Sequence, residues 1–416
     1  MALGLYLLGS PPRSTRFEEV LSAVEAWFRK HAAHEFRSWK TLIDSSGSPI
    51  GYLSLFPGAE CVEFSPDPSG DVAISASTSS VGPGYHANLC NLVRAMGVEL
   101  GYKWRVPSQD DDFGDETGYF DTQDEQHLKK AMLEWLGAVL HRIARAPGTH
   151  LLCMPLDCGF RGDSEVLTQL GPRTREWAEA GARNPVLAAD FWPWPDSGPI
   201  ASKMLRQALT LMWCEVKWRK PWRDDEKACL QEVADLLEHA YKQDQTLSYP
   251  WREWLEVLEY LERQSPLERT IQRAALSAHG PLLGYRRTDL TAWPFRGWSL
   301  IVPGGFATEH TDDDTTWHAW DETRVIWFSA LRAPIHTDSF AKARQHRTDS
   351  LLEDSGNTVR NATVEFKPGE EGAEAYYLLS GEIAVPGRIA YVTVTFDHPD
   401  QRKWAEDVWR SVQFNP

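Results

Sequence analysis

The sequence predicts an α+β fold in which two antiparallel-sheet α+β modules flank a helical middle region. Three observations carry that expectation. Four apolar runs closed by Gly, Pro, Asp or Ser turns follow one another between residues 36 and 78, as strands of a meander do. Three successive stretches between residues 200 and 262 instead repeat their apolar residues at helical spacing. From Gly280 the strand signal returns. At 416 residues the chain holds two or three domains. The changes of pattern divide it into an N-terminal α+β domain (1–155), a helical middle domain with a Pro- and Trp-rich entry (156–280) and a C-terminal α+β domain (281–416).

Residues 2–8 are a short apolar strand, and 17–30 follow as a helix with Val20, Leu21, Val24, Trp27 and Phe28 on one face. Strands at 36–43, 50–56, 61–64 and 72–78 end in turns rich in Gly, Pro, Asp and Ser. The last runs into Gly82-Pro83-Gly84 and a helix carrying Leu89, Leu92, Val93 and Met96. An acidic loop at 110–125 precedes a helix from 125 to 144, capped by Asp124 or Thr122 and stopped by Pro147-Gly148. A short strand at 150–155 and a helix at 174–182 lead to Phe191-Trp192-Pro193-Trp194-Pro195. Helices at 200–218, 224–242 and 250–262 follow, the last two as a hairpin; no 34-residue period marks a repeat array. The closing region reads as strands at 282–286, 298–302, 316–319, 324–330, 375–380 and 389–396, a charged helix or lid at 339–357, and a final helix at 399–411.

The phrase Gly297-Trp-Ser-Leu-Ile-Val-Pro-Gly-Gly-Phe306, the ending Tyr391-Val-Thr-Val-Thr-Phe-Asp-His-Pro-Asp400 and the Trp-containing last helix resemble the PsbP-like α/β/α sandwich family over the last 120 or so residues. The resemblance implies a mostly non-catalytic fold used for protein–protein docking. It brings no fixed catalytic motif to carry onto this chain.

A net charge of −16, from 59 acidic and 43 basic residues, speaks against a general nucleic-acid binder, which needs a surplus of Lys and Arg to neutralise phosphates. It suits a partner with a basic surface. Six cysteines at 61, 90, 153, 158, 214 and 229 form no Cys-x-x-Cys pair, so neither a zinc site nor a disulfide framework is signalled, and reduced thiols fit a cytoplasmic protein. The apolar start lacks a basic flank, and no run reaches the length of a membrane span. Many of the 19 tryptophans stand beside charges (Trp39-Lys40, Trp218-Arg219, Trp251-Arg252), as interface anchors do.

The best candidate site is the strand–turn–helix at 75–97. A strand that breaks on glycine into a helix leaves backbone N–H groups at one mouth. Ser77, Thr78, Ser79, Ser80, Gly82, Gly84, Tyr85 and His86 would form it, completed by Asp111, Asp112, Asp115, Glu116 and Tyr119 from the acidic loop. Against it stands a structural hinge whose glycines serve only the turn. His86 and Cys90, four apart, have the spacing of an imidazole–thiolate pair, but Cys90 sits among Leu89, Leu92 and Val93 as a core residue does. His-x-Asp recurs at His310/Asp312, His336/Asp338 and His398/Asp400, with His318 and His398 as third ligands, yet the strands are too few for the jelly roll of the iron oxygenases that use such triads. The acidic loop lacks the ligand order of an EF-hand. Nucleotide, zinc-protease and serine-hydrolase motifs do not occur.

The sequence therefore leads us to expect no enzyme, cofactor or metal, and no nucleic acid or membrane as partner. The expectation is a non-enzymatic bacterial interaction factor with an acidic, Trp-rich surface, of the immunity, toxin-neutralising or defence and secretion accessory kind. An enzyme or small-ligand binder at 82–86 and a self-associating scaffold are the alternatives.

Overall fold

A computed structural model describes residues 3–11, 16–107, 114–155, 158–162, 164–196, 198–332, 350–369 and 375–415. They form two compact units rather than the three expected domains. The first comprises Met1–Pro155, Gly162–Val216 and Arg223–Gly284; the second comprises Leu156–Arg161, Lys217–Trp222 and Tyr285–Pro416.

In the first unit β1 (Gly4–Ser10), β2 (Ser38–Ile43), β3 (Pro49–Ser54), β4 (Val62–Pro66), β5 (Val72–Ser77) and β6 (Lys103–Arg105) make one antiparallel sheet in the order β2-β3-β4-β5-β1-β6. The expected meander is therefore present, and β1 inserts beside its last strand. Helices α1 (Phe17–His31), α2 (Pro83–Leu100), α3 (Tyr119–Thr122) and α4 (Glu125–Arg145) complete the α+β part. In α1, Glu18 and Glu19 in the first turn and Arg29, Lys30 and His31 in the last suit the helix dipole. Its buried Val20, Leu21, Val24, Trp27 and Phe28 belong to the same core as Leu53, Phe64, Ile74 and Leu89. Asp124 caps α4, accepting from the N–H groups of Gln126 and His127.

After β7 (His150–Leu152) and β8 (Cys158–Phe160), which belongs to the second unit, come β9 (Val166–Thr168), β10 (Gly171–Arg173) and α5 (Arg175–Arg183). The helices α6 (Ile200–Cys214), α7 (Asp224–Gln243), α8 (Trp251–Leu261) and α9 (Glu268–Ser277) are the expected helical middle plus one more. They cluster with the N-terminal part rather than apart from it. Arg37, just before β2, reaches Glu215 at 3.3 Å and Glu232 at 3.0 Å, and Glu35 meets Lys203 at 2.9 Å. Burial works against the Arg37 charge, but the two carboxylates outweigh it and hold the guanidinium charged. Sequence periodicity marks each helix, yet these long-range pairs carry no local signal.

The second unit adds β11 (Asp289–Ala292), β12 (Trp298–Pro303), β13 (Ala307–His310), β14 (Trp317–Trp320), β15 (Arg324–Arg332), β16 (Ser350–Asp354), β17 (Val359–Lys367), β18 (Tyr376–Val385), β19 (Arg388–Phe396), α10 (Arg402–Ser411) and β20 (Gln413–Phe414). One sheet runs β20-β12-β11-β8, the other β13-β14-β15-β19-β18-β17-β16. On the larger sheet Phe328, Val392, Val394 and Phe396 join Trp298, Val408 and Trp409 in one core. Gly381 permits this, because a Cβ there would lie 2.5 Å from Trp409 Cδ1.

Several expectations shift. Residues 282–286 are not a strand, and the pairing with β12 begins at Asp289. Residues 350–354 of the expected charged helix are a strand, and 333–349 lie outside the described residues. The helix expected to reach 218 stops at Cys214. Among the described residues no helix is long and apolar enough to cross a membrane.

Candidate functional site

The segment from β5 into α2 does gather polar groups, but it faces inward. Thr78 and Ser79 donate their backbone N–H groups to the Leu3 carbonyl at 3.0 and 3.1 Å, which fastens the end of β5 beside the start of β1. Gly82 takes φ +117°, a backbone conformation open to glycine, and the chain turns into α2. The first turn of α2 then carries Tyr85 and His86, 1% and 0% exposed.

His86 is held at both ring nitrogens. Thr78 Oγ1 lies 2.8 Å from Nδ1 and Thr117 Oγ1 3.0 Å from Nε2. Thr117 donates its hydroxyl to Asp115 Oδ1 at 2.6 Å, so it accepts from His86 Nε2–H. Asp115 Oδ1 is also 3.3 Å from His86 Nε2 and accepts the Thr117 N–H at 2.9 Å, and Oδ2 accepts the Phe120 N–H at 2.5 Å. Burial pushes the Asp115 carboxyl up, but the bond to and proximity of His86, with the Phe120 and Thr117 donors, outweigh it and hold the group at about 2.

The ligand atoms of His86, Cys90 and Asp115 lie within 4.8 Å of one another, the one such group of His, Cys and acidic residues among the described residues. Its chemistry does not suit a metal or a nucleophile. Burial, and then the Asp115 charge, push the Cys90 thiol far up, so a thiolate is disfavoured. Both imidazole nitrogens and both carboxylate oxygens already have partners. A metal would have to displace bonds that the imidazole and the carboxylate already make, and all three residues are shut off from solvent or nearly so.

The mouth expected at Gly82 and Gly84 is filled by the chain itself. Trp194 donates to the Val81 carbonyl at 2.9 Å and accepts the Gly84 N–H at 3.1 Å, so the first turn of α2 offers that group to residue 194 rather than to a ligand. Trp192 Nε1 donates to the Ser79 carbonyl at 2.9 Å. A Cβ on Gly82 would meet Trp194 O at 2.6 Å, and one on Gly84 would overlap the Trp194 ring. Tyr85 packs against Phe56 and Trp194; burial raises its phenol, and the hydroxyl has no hydrogen-bond partner among the described residues.

Of the predicted site residues, His86, Asp115 and Tyr119 do converge, with the Tyr119 ring edge-on to His86 at 6.2 Å. Ser79 is consumed by Leu3 and Trp192, Ser80 is half-buried with no partner for its hydroxyl, and Glu116 accepts from the Gly4 N–H at 2.9 Å. Asp111 and Asp112 lie outside the described residues, as do His336 and Asp338. His310 and His398 are exposed and do not join a ligand group among the described residues. Sequence reasoning placed Thr78 in the mouth but missed Thr117, Trp192 and Trp194. Only the Trp-Pro-Trp-Pro run hinted at the last two, and it does not say where they dock.

No family model matches the chain, and no curated protein matches it. A structure from Bacteroides thetaiotaomicron VPI-5482, solved at 1.50 Å, aligns at 14% identity with a TM-score of 0.25. The alignment spans 29% of this chain and 46% of that one, and at such a score it carries no argument about fold or activity.

Proposed function

We propose that this protein is a non-enzymatic binding factor that docks a basic protein through the outer face of the seven-stranded sheet. In an antiparallel sheet, residues opposite each other across strands share a face. The register aligns Glu309, His318, Trp327, Thr393, Ser380 and Thr363 across the sheet, with Tyr391 and Glu382 on the neighbouring row. The observation that carries the proposal is the exposure there of large aromatics next to carboxylates: Trp327 is 39% and Tyr391 42% exposed. His318 is stacked between Trp320 and Trp327 at 4.6 and 4.5 Å, and its Nε2 lies 3.1 Å from Glu309. That stack holds the tryptophan rigid, which lowers the entropy cost of binding.

Aromatic anchors on one face with Glu309 and Glu382 suit a partner rich in Lys and Arg. Masking such a protein is the mode of an immunity or toxin-neutralising factor. The sealed state of the His86 cluster weighs against the enzymatic alternative. Affinity capture from the source lysate with the wild-type chain and with a Trp327→Ala/Tyr391→Ala variant tests the proposal. A stoichiometric basic protein recovered by the former and lost from the latter is expected. Equal recovery by both, or a wild-type chain that only self-associates on sedimentation, overturns it.

A further inference from the structure

The second unit carries, where β11 turns into β12, a cavity of about 280 Å³ lined by Trp293, Phe295, Arg296, Gly297, Ser299 and Asn415. Thr291 stands opposite Gly159 and Ile301, so Trp293 and Ser299, each two residues from that row, share its face of the four-stranded sheet. Ala292, Trp298, Leu300 and Val302 belong to the other face and join the core. The Trp293 ring lies along β8, where a Cβ on Gly159 would stand 3.1 Å from its Cζ2 and Cη2, and the residue stays 47% exposed.

The turn that shapes this cavity is fixed from several sides. Trp298 donates its N–H to the Phe295 carbonyl at 2.9 Å, and Gly297 takes φ +83°, the left-handed conformation that glycine supplies at the third position of such a turn. Gly297 also accepts the Asn415 N–H at 2.7 Å, and a Cβ there would meet Phe414 Cε2 at 2.6 Å, so glycine lets the final strand close on the turn. Phe295 is held against the rings of His310 at 5.5 Å and Phe328 at 6.1 Å. Within this frame two polar side chains keep their bonding capacity. Ser299 is 7% exposed, yet its hydroxyl has no hydrogen-bond partner among the described residues. Arg296, at the second position of the turn, makes neither a hydrogen bond nor an ion pair with its side chain among them. A nearly buried hydroxyl left in that way costs free energy that a ligand would recover.

From this convergence we infer that the cavity binds a single-ring aromatic carboxylic acid in its anionic form. A guanidinium grips a carboxylate as a two-pronged fork, the Ser299 hydroxyl has a hydrogen bond to give, and Trp293 and Phe295 supply aromatic surface for a planar ring. One cation balances one negative charge, whereas a phosphate monoester carries about 1.5–2. The volume stands at the small end of ligand pockets, about 300–1,000 Å³, which suits one ring. A larger cavity beside Gly304, about 320 Å³, does not present its cations in this way. There Lys217 Nζ donates to the Phe306 carbonyl at 2.6 Å, Arg219 Nε donates to the Gly305 carbonyl at 2.5 Å, and the Arg287 guanidinium lies 3.7 Å over the Trp218 ring.

Calorimetric titration of the full chain with benzoate, benzamide, acetate and phenyl phosphate tests the inference. Saturable one-site binding of benzoate is expected. Benzamide, which lacks the charge, and acetate, which lacks the ring, should each bind at least about tenfold more weakly. Arg296→Gln weakens benzoate at least about tenfold, while Arg402→Gln on the exposed side of α10 leaves it unchanged. Should Arg296→Gln lose its near-UV circular dichroism, Trp293→Ala, which keeps the charge and removes the aromatic wall, is read in its place with the same direction expected. Absence of saturable benzoate binding, equal affinity for benzamide or acetate, tighter binding of phenyl phosphate, or undiminished affinity in the folded variants overturns the inference.

Discussion

The cluster around His86 and the cavity beside Gly304 are both dense in titratable groups, and they are built in opposite ways. Around His86 the donors and acceptors pair off inside the core: two threonine hydroxyls, an imidazole and a carboxylate close on each other with the side chains of His86 and Asp115 0% and 1% exposed. Beside Gly304 the cations are anchored on carbonyls and aromatic faces at the wall of an open cavity. The first arrangement gains stability from neutralising its own polarity. In the second, the cationic groups direct their contacts onto carbonyls and aromatic faces along the cavity wall. Density of ionisable residues therefore does not identify a site; the direction in which they spend their bonding does.

The contrast is broken most sharply at Asp115. Asp115→Ala strips the acceptor from Thr117 N–H, Thr117 Oγ1 and Phe120 N–H inside the core. We expect a loss of about 3 kcal/mol in urea unfolding, since each stranded buried donor costs about 1–3 kcal/mol and partial relaxation recovers some of it. A loss below about 1 kcal/mol would mean that water reaches the cluster and that it is not sealed. Gly82→Ala attacks the same region through the backbone. The added methyl meets Trp194 O and must adopt φ +117°, so destabilisation of about 2–3 kcal/mol is expected by the same measurement.

The strands and helices around this cluster were mostly legible in the sequence, and the contacts that close it were not. Turn-bounded runs at 50–56 and 72–78 and the spacing of Val20, Leu21, Val24, Trp27 and Phe28 are local signals, and they correspond to β3, β5 and α1. The convergence of His86, Asp115 and Tyr119 was also foreseeable, because a loop that follows the helix has few places to go. What closes the site comes from afar: Trp194 is more than a hundred residues from Gly82, and Leu3 lies at the other end of the unit's chain segment. No periodicity encodes such docking. The Gly304 cavity was less legible still, since Lys217 and Arg287 sit in separate segments and only the fold brings them to one wall. Residue 218 was read as the end of a helix, so its left-handed turn went unseen.

Acid sharpens the comparison further. Asp115 falls from an ordinary 3.8 to about 2 on folding, so its carboxylate stabilises the fold above pH 4 and that contribution is lost as pH drops toward 2. The wild-type advantage over Asp115→Asn, followed by denaturant unfolding from pH 5 to pH 2, should shrink by about 2 kcal/mol. A constant difference would show that the cluster does not prefer the charged form.

The smallest effect belongs to the open cavity, and its smallness is the point. Arg287→Gln removes a guanidinium from the Trp218 face, a contact of about 0.5–1 kcal/mol. Unfolding free energy in urea should therefore fall by about 1 kcal/mol or less. A loss as large as that of Asp115→Ala would instead place Arg287 among the residues that hold the fold together, and the division between a self-satisfied core and a charged cavity wall would no longer stand.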